Sequence, residues 1–585
     1  MATRLFVDAR SFIGRVWRLS TPYWRSEERW RARGLLIAIV GLTLALVVMA
    51  VLFNDWNREF YNSLEQKNYQ DFTDLLLYFC FLAAVYIGLA VSRVYLRQML
   101  TMRWRVWLTR QYLDEWLDRQ VYYRLELDAH GTDNPDQRIS EDLRLFTEGT
   151  LVLGLGLLSS AVTVVSFIAI LWTVSGPLSF SLFGSELTIP GYMVWVAIVY
   201  ALLASILSHY VGRPLIGLNF LQQRLEANFR FNLVRLRENA EGVALYHGEQ
   251  PESEGLLGRF ERVRQNWWGL MHYTKRLTYF TAGYTQVAIV FPFIVAAPRF
   301  FSGAITLGGL TQVANAFGQV QDSLSWFVNN YTDIAAWRAS VDRLLTFQNA
   351  LDATTAEAEH GSAVEFKPAA DKKDLAASDL ELRLPDRDGH PGRIVLADGR
   401  LTVRAGERVM ITGPSGSGKS TLFRGLAGIW PYGRGQVHLP REARMLFLPQ
   451  RPYIPIGSLR DALNYPAPPG SSSDEQIRKA LLQCRLESFA GRLDEEQNWS
   501  LQMSPGEQQR LAIARALLYR PDWLFLDEAT ASLNEALETE LYEVLLAQLP
   551  HAAIVSIAHR PNVAKHHARR YVLQPSPNGA QLVPA

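Results

Sequence analysis

Long apolar runs crowd the first half of the chain and then stop. The clearest, Gly34 to Phe53, holds no charged residue and matches the ~20 residues that a helix needs to cross a bilayer. Others run from about Leu75 to Ser92, Leu151 to Gly176, Ile189 to Val211 and Thr278 to Ala297, with a weaker sixth from Ile305 to Val328. The first and third show no polar face, which argues against buried helices of a soluble protein. The pattern therefore predicts six membrane-spanning helices.

Loop charge tests this independently. The segment before the first span has eight arginines against Asp8, Glu27 and Glu28. The loop from Asp55 to Phe72 has only Arg58 and Lys67 against four acids, whereas Arg93 to Thr150 is again rich in arginine. Ser175 to Thr188 has no basic residue, and Gly212 to Leu277 returns to arginine. Basic loops stay on the cytoplasmic side, so both termini are expected in the cytoplasm. Ahead of span one, residues 1–33 read as an amphipathic basic segment on the membrane surface, in contact with lipid.

Span six is polar in a patterned way. Gln312, Asn315, Gln319, Asp322, Trp326, Asn329 and Asp333 recur at steps of three and four, which places them on one helical stripe. Polar groups facing lipid are costly, so the stripe is expected to face protein or water. It reads as the wall of a translocation pathway; helix–helix glue is the plainer alternative.

Composition adds limits. A chain of 585 residues is too long for one compact domain. A net charge of +2 gives no global basic field, so no nucleic acid partner is expected. Cys80 and Cys484 sit in different segments and imply neither a disulfide framework nor a metal cluster. No cleavable signal sequence is visible.

Beyond residue 345 the hydropathy falls. Residues 346–378 are rich in alanine and charge and read as a linker. An α/β pattern follows. Gly413, Pro414, Ser415, Gly416, Ser417, Gly418, Lys419 and Ser420 fit G-x-x-x-x-G-K-[ST] without deviation, and Thr421 follows. Such glycines let backbone N–H groups close around phosphates at a helix N-terminus, with Lys419 as a mobile charge and Ser420 as a Mg²⁺ ligand. ATP and Mg²⁺ are thus the expected cofactors. An apolar strand ends at Asp527, suited to hold Mg²⁺ through water, and Glu528, suited to orient or deprotonate the attacking water. Gln450 and His559 each follow a short apolar run, long enough to reach the metal or the water and the γ-phosphate respectively.

In this order the residues resemble the Walker A, Q-loop, signature, Walker B and His-switch elements of ABC transporter ATPases. The whole chain resembles an ABC half-transporter: an α-helical transmembrane domain of exporter type with six spans, fused to an α/β P-loop ATPase domain. The expected boundaries are 1–33, 34–345 for the spans and their long loops, 346–378 for the linker, and 379–585 for the ATPase. "NDWNREFYNSLEQKN", "TDNPDQRISEDL", "ENAEGVALYHGE" and "ITLGGLTQVANAF" carry a closer resemblance to the bacterial branch related to SbmA/BacA and YddA and to the peroxisomal ABCD transporters. The resemblance implies a homodimer that sandwiches two ATPs, each between one chain's Walker A and the other's signature. It also implies a bacterial inner-membrane protein that takes up hydrophilic cargo such as peptides or cobalamin. Export, fatty-acyl transport and a proton-coupled carrier gated by its ATPase stay open as alternatives.

Three departures stand out. The signature reads Met503-Ser504-Pro505-Gly506-Glu507, with proline where the family has glycine. With Ser504 as N-cap, Pro505 falls at the first helical position, where its missing N–H costs nothing, and Glu507 completes a capping box. The corner is therefore expected to survive, with Ser504, Gly506 and Glu507 at the nucleotide. Asn534 stands where the family has an aspartate that links the two ATP sites. The stretch 384–396 ahead of Walker A holds no Tyr, Phe or Trp to stack on adenine; His390 and Arg393 are the remaining candidates.

Overall fold

The computed structural model describes residues 2–127, 134–182, 185–359, 364–368, 374–385, 390, 392–440 and 443–585. The chain forms two compact units: Met1–Leu113 with Asn134–Phe347, and Asp114–Asp133 with Gln348–Ala585.

The first unit is helical. Helix α1 (Ala2–Arg25) precedes α2 (Arg29–Glu65) and α3 (Tyr69–Leu117), which carry the first two apolar runs. After the short α4 (Val121–Leu127), which belongs to the second unit, come α5 (Leu143–Ser175), α6 (Tyr192–Glu238) and α7 (Glu249–Phe301), with runs three to five. Among the described residues, five helices are long and apolar enough to cross a membrane. The sixth run falls on α8 (Leu307–Leu324), only 18 residues long and too polar to qualify by the same measure. The segment without basic residues after α5 holds a hairpin of β1 (Pro177–Leu182) and β2 (Ser185–Pro190).

The unit is held by aromatic and ionic contacts. Tyr200 stacks on Tyr284 and Phe291, with centroids 4.6 and 5.2 Å apart, joining α6 to α7. Asp142, 1% exposed, is bound by Arg138 and by Arg343 of α9 (Tyr331–Glu359). A buried carboxylate needs such partners, since an unpaired one would be strongly destabilising.

Two of the quoted stretches meet. The Leu307 N–H donates to Glu65 Oε2 and the Gly308 N–H to Asn62 Oδ1, both at 3.0 Å; the Gly309 N–H donates to Thr306 Oγ1 at 3.1 Å. The end of α2 thereby satisfies donors that the start of α8 leaves free, and a carboxylate there also suits the helix dipole. A methyl at Gly308 would sit 2.0 Å from the Arg58 carbonyl oxygen, so only glycine admits this approach.

The second unit is built on a ten-stranded sheet. Its strands are β3 (Val364–Pro368), β4 (Asp374–Arg383), β5 (Ile394–Arg404), β6 (Arg408–Thr412), β7 (Gly433–Leu439) and β8 (Met445–Leu448). After a two-stranded patch of β9 (Gly457–Ser458) with β10 (Glu496–Gln497) come β11 (Trp523–Asp527), β12 (Ala553–Ile557), β13 (Arg569–Gln574) and β14 (Ala580–Pro584). The order is β3-β7-β4-β5-β14-β13-β6-β12-β11-β8, and β13, β6, β12, β11 and β8 run parallel. Every residue of β12 is buried, as expected of a parallel strand covered on both faces. Phe447 and Phe525 stack at 4.2 Å between β8 and β11.

Two expected boundaries differ. The stretch read as a linker carries the end of α9, β3 and the start of β4, while residues 360–363 and 369–373 lie outside the described residues. Residues Asp114–Asp133, read as part of the first cytoplasmic loop, belong to the sheet-containing unit, and Leu127 of α4 packs on its core.

Candidate nucleotide-binding site

The phosphate turn, residues 413–418, leaves β6 and opens α10 (Lys419–Leu426). Gly418 holds φ 97° and its missing side chain would lie 2.2 Å from Val395 Cγ1, so both conformation and space require glycine. Lys419 is 7% exposed and its Nζ donates to the Gly413 and Pro414 carbonyls, both at 2.9 Å. Those bonds hold the ammonium over the turn. Ser417 Oγ is buried with no hydrogen-bond partner among the described residues. A buried hydroxyl of this kind is costly unless a ligand oxygen meets it, which fits a polyphosphate.

Parallel pairing of β6 with β12 and of β12 with β11 brings Asp527 and Glu528 to the same sheet edge as the turn. Burial pushes the Asp527 carboxyl up, and its hydrogen bond with Ser420 partly offsets that. Serine hydroxyl and carboxylate are hard oxygen donors that suit Mg²⁺. Among the described residues no group of three His, Cys, Asp or Glu could hold a metal alone, so such an ion would depend on phosphates and water. Glu528 lies at φ 49°, rare for a non-glycine residue. Its Oε2 accepts from Gln450 Nε2 at 3.2 Å, and His559 Nε2 lies 3.3 Å from Oε1. The three side chains expected around the attacking water are thus joined through one carboxylate.

The signature corner opens α11 (Pro505–Tyr519). Ser504 is its N-cap at φ −60°, ψ 156°, the capping box with Glu507 is formed, and Pro505 sits in the first turn. The Ser504 hydroxyl also donates to Glu507 Oε2 at 2.8 Å. Asn534 caps α12 (Glu535–Gln548), its Oδ1 accepting from the Leu537 N–H at 2.9 Å. An aspartate could make the same bond.

Sequence reasoning missed other residues. Gln509, 2% exposed, donates from Nε2 to the Gln450 carbonyl and accepts at Oε1 from the Ser532 N–H. Arg560 donates to the Ala531 and Leu533 carbonyls. Their adjacency to quoted motifs was visible, but no local spacing signals bonds across 23 to 59 residues. Beside the phosphate turn, a cavity of about 280 Å³ is lined by Arg393, Val395, Pro414, Ser417, Pro575 and Pro577 among others. Arg393 lines it and His390 does not.

The polar stripe is only partly continuous. Asn315, Gln319, Asp322, Asn329 and Asp333 are exposed, but Gln312 is buried at 4% and its Oε1 has no partner among the described residues. α8 ends at Leu324, a short helix covers Trp326–Asn329, and α9 begins at Tyr331. These breaks shift the register, so Trp326 instead packs against Gly156 of α5. Asn329 lines a cavity of about 710 Å³ between α6, α7 and α9, which Gln312, Asn315, Gln319 and Asp322 do not reach.

Comparison with known proteins agrees with this architecture. The family described as ABC transporter transmembrane region 2 matches residues 20–301, and the family described as ABC transporter matches residues 396–531. The inner membrane ABC transporter ATP-binding protein YddA of Escherichia coli (strain K12) is 33% identical over 559 residues, covering 95% of this chain and 97% of the relative. The lysosomal cobalamin transporter ABCD4 of Homo sapiens is 25% identical over 574 residues, covering 92% and 91%. A bacterial Atm1-family ABC exporter solved with ATP bound superposes with a TM-score of 0.72 over 96% of this chain and 95% of that one, at 19% identity. That likeness speaks for the fold, the helical region and sheet domain of an exporter-type half-transporter. The chain belongs to the ABC transporters, as an ATP-binding, ATP-hydrolysing membrane protein of the half-transporter type.

Proposed function

We propose that two copies of this chain form an ATP-driven importer of hydrophilic cargo, peptide-like or cobalamin-like, in a bacterial inner membrane with both termini cytoplasmic. The observation that carries this reading is the exposed row of Asn315, Gln319 and Asp322 on α8, with Asn329 exposed on the short helix after it, all in the run read as the sixth span. Such a face is costly in lipid, and a second copy enclosing a water-filled path would remove that cost. The similarity to ABCD4, a lysosomal cobalamin transporter, supports the cargo class.

At each ATP site, Lys419 and the 413–418 turn hold the β- and γ-phosphates, and Ser504 and Gly506 of the partner copy close over them. Ser420, Asp527 and Gln450 would hold Mg²⁺, which supplies charge neutralisation on the phosphates. Glu528 takes the proton of the attacking water, and His559 holds the γ-phosphate side of the pair. Adenine lies in the cavity beside the turn, against Arg393 and the prolines at 575 and 577.

The test is uptake of labelled cobalamin and of a labelled cationic peptide into right-side-out vesicles holding the protein, with and without ATP inside. ATP-dependent accumulation of either supports the reading; ATP-dependent loss of preloaded cargo would reverse the direction. Asp322, an exposed carboxylate in the run read as the sixth span, favours a second reading as a proton-coupled carrier. Transport that persists in Glu528→Gln and follows an imposed pH gradient would select it.

A further inference from the structure

The groups around Glu528 are tied to the signature helix by two side chains whose bonds close a loop. Gln509 stands in α11, five residues after the N-cap Ser504. Its amide is used at both ends: Nε2 donates to the Gln450 carbonyl at 3.0 Å and Oε1 accepts from the Ser532 N–H at 2.9 Å. Gln450 in turn donates its own side chain to Glu528, and Ser532 lies four residues after Glu528. Arg560, next to His559, donates Nη1 to the Leu533 carbonyl at 2.6 Å and Nη2 to the Ala531 carbonyl at 3.0 Å. Glu538, 2% exposed, anchors the same guanidinium at 3.4 Å and accepts from Thr530 Oγ1 at 2.6 Å. The turn 531–533 therefore has its main chain gripped from two sides.

We propose that Gln509 and Arg560 are positioning residues, which carry displacement of the Ser504 corner to the Gln450–Glu528–His559 set through the 531–533 turn. This rests on the reading of Glu528 as the base. A helix moves as a rigid body over its first turns, so a shift at Ser504 is a shift at Gln509. A buried amide bonded at both ends cannot shift without drawing the Gln450 carbonyl and the Ser532 N–H with it. The linkage runs through main-chain groups. It requires no charge at position 534, where Asn534 has only to cap α12.

Three variants of the full chain test this by steady-state ATP hydrolysis. Gln509→Met keeps the volume and removes both bonds: kcat should fall roughly tenfold or more while KM for ATP stays within about twofold, since Gln509 is not in the phosphate turn. Gln509→Glu keeps the acceptor for Ser532 but sets a carboxylate against the Gln450 carbonyl. With the donor to Gln450 lost, its kcat should fall as in Gln509→Met, again with KM for ATP within about twofold. Arg560→Lys, with one ammonium in place of a fork, should lower kcat and add little to Gln509→Met. A parental kcat in Gln509→Met or in Gln509→Glu, or a fall in kcat matched by a weakened KM and a lower melting temperature, would each overturn the proposal. Glu528→Gln separates the two readings: if it still turns over, the base assignment fails; if it is dead while Gln509→Met is intact, only the linkage fails.

Discussion

The ATPase unit and the membrane unit treat polar groups in opposite ways. Around Glu528, side chains satisfy one another: Gln450 and His559 meet the carboxylate, and Gln509 and Arg560 meet the main chain behind it. Along α8 and the short helix after it, Asn315, Gln319, Asp322 and Asn329 stand exposed. A saturated network specifies one geometry, which chemistry on a phosphate requires. A row of exposed polar groups specifies an environment: protein, water or cargo has to meet it. A catalytic set can therefore be proposed from one chain, while the exposed row proposes the chemistry of what meets it.

The sharpest way to break the comparison is at the carboxylate. Glu528→Gln should lower ATP turnover by at least about 10²-fold, because the base is lost while the bonds to neighbours can be kept by an amide. ATP binding, followed by equilibrium titration, should change little. A variant with turnover near the parent's would show that the closed network is structural packing. Next in size is Asp322→Leu. Cargo flux in vesicles should drop about tenfold or more, with ATP turnover and melting temperature near the parent's, since this carboxylate is exposed. A large fall in melting temperature would instead mark Asp322 as packing glue.

Legibility followed the same division. The phosphate turn, the strand ending at Asp527 and Glu528, and the Ser504 capping box were readable because each is contiguous and set by local geometry. Gln509 and Arg560 were not, because their partners lie far along the chain and only the sheet order brings them close. The run with β3 and β4 read as linker because alanine and charge mask its alternation. In the structure Leu375, Ala377, Leu380 and Leu382 are buried. Stripe periodicity overreached because it assumed one unbroken helix. The interruptions at Ser325 and Asn330 leave no Gly or Pro signal to announce them.

A subtler contrast separates stability from function within the ATPase. The Asp527 carboxyl is pushed up by burial, so the folded state binds its proton more tightly than the unfolded chain does. Stability is then lost as pH rises from the unfolded pKa through the raised folded one. Asp527→Asn removes the buried charge and should raise the melting temperature at pH 7 while hydrolysis is lost. The gain should shrink as pH falls and the parental carboxyl takes up its proton. Thermal melts of both proteins, taken from near the reference value of a carboxyl up to neutral pH, follow that loss. A variant less stable than the parent throughout would mean that the hydrogen bond with Ser420 outweighs the cost of burial.

The smallest expected effect concerns the corner itself. Pro505→Gly restores the residue usual in the family, yet the structure gives proline a local reason. Ser504 is extended at ψ 156° and caps the helix, and Pro505 occupies a first-turn position whose N–H has no helical acceptor. Proline's fixed φ is already that of the helix, so the unfolded chain alone is changed by the substitution. Glycine there should cost about 0.4–1 kcal/mol of stability through added freedom in the unfolded state. ATP turnover should remain within about twofold, because Ser504, Gly506 and Glu507 keep their places and a twofold change is under about 0.5 kcal/mol in the barrier. Chemical denaturation and steady-state turnover on the same preparation measure both. If glycine instead raised turnover severalfold without altering stability, the stiffness of the corner would be limiting the motor, and the bonds of Ser504 to Glu507 would be the next place to loosen it.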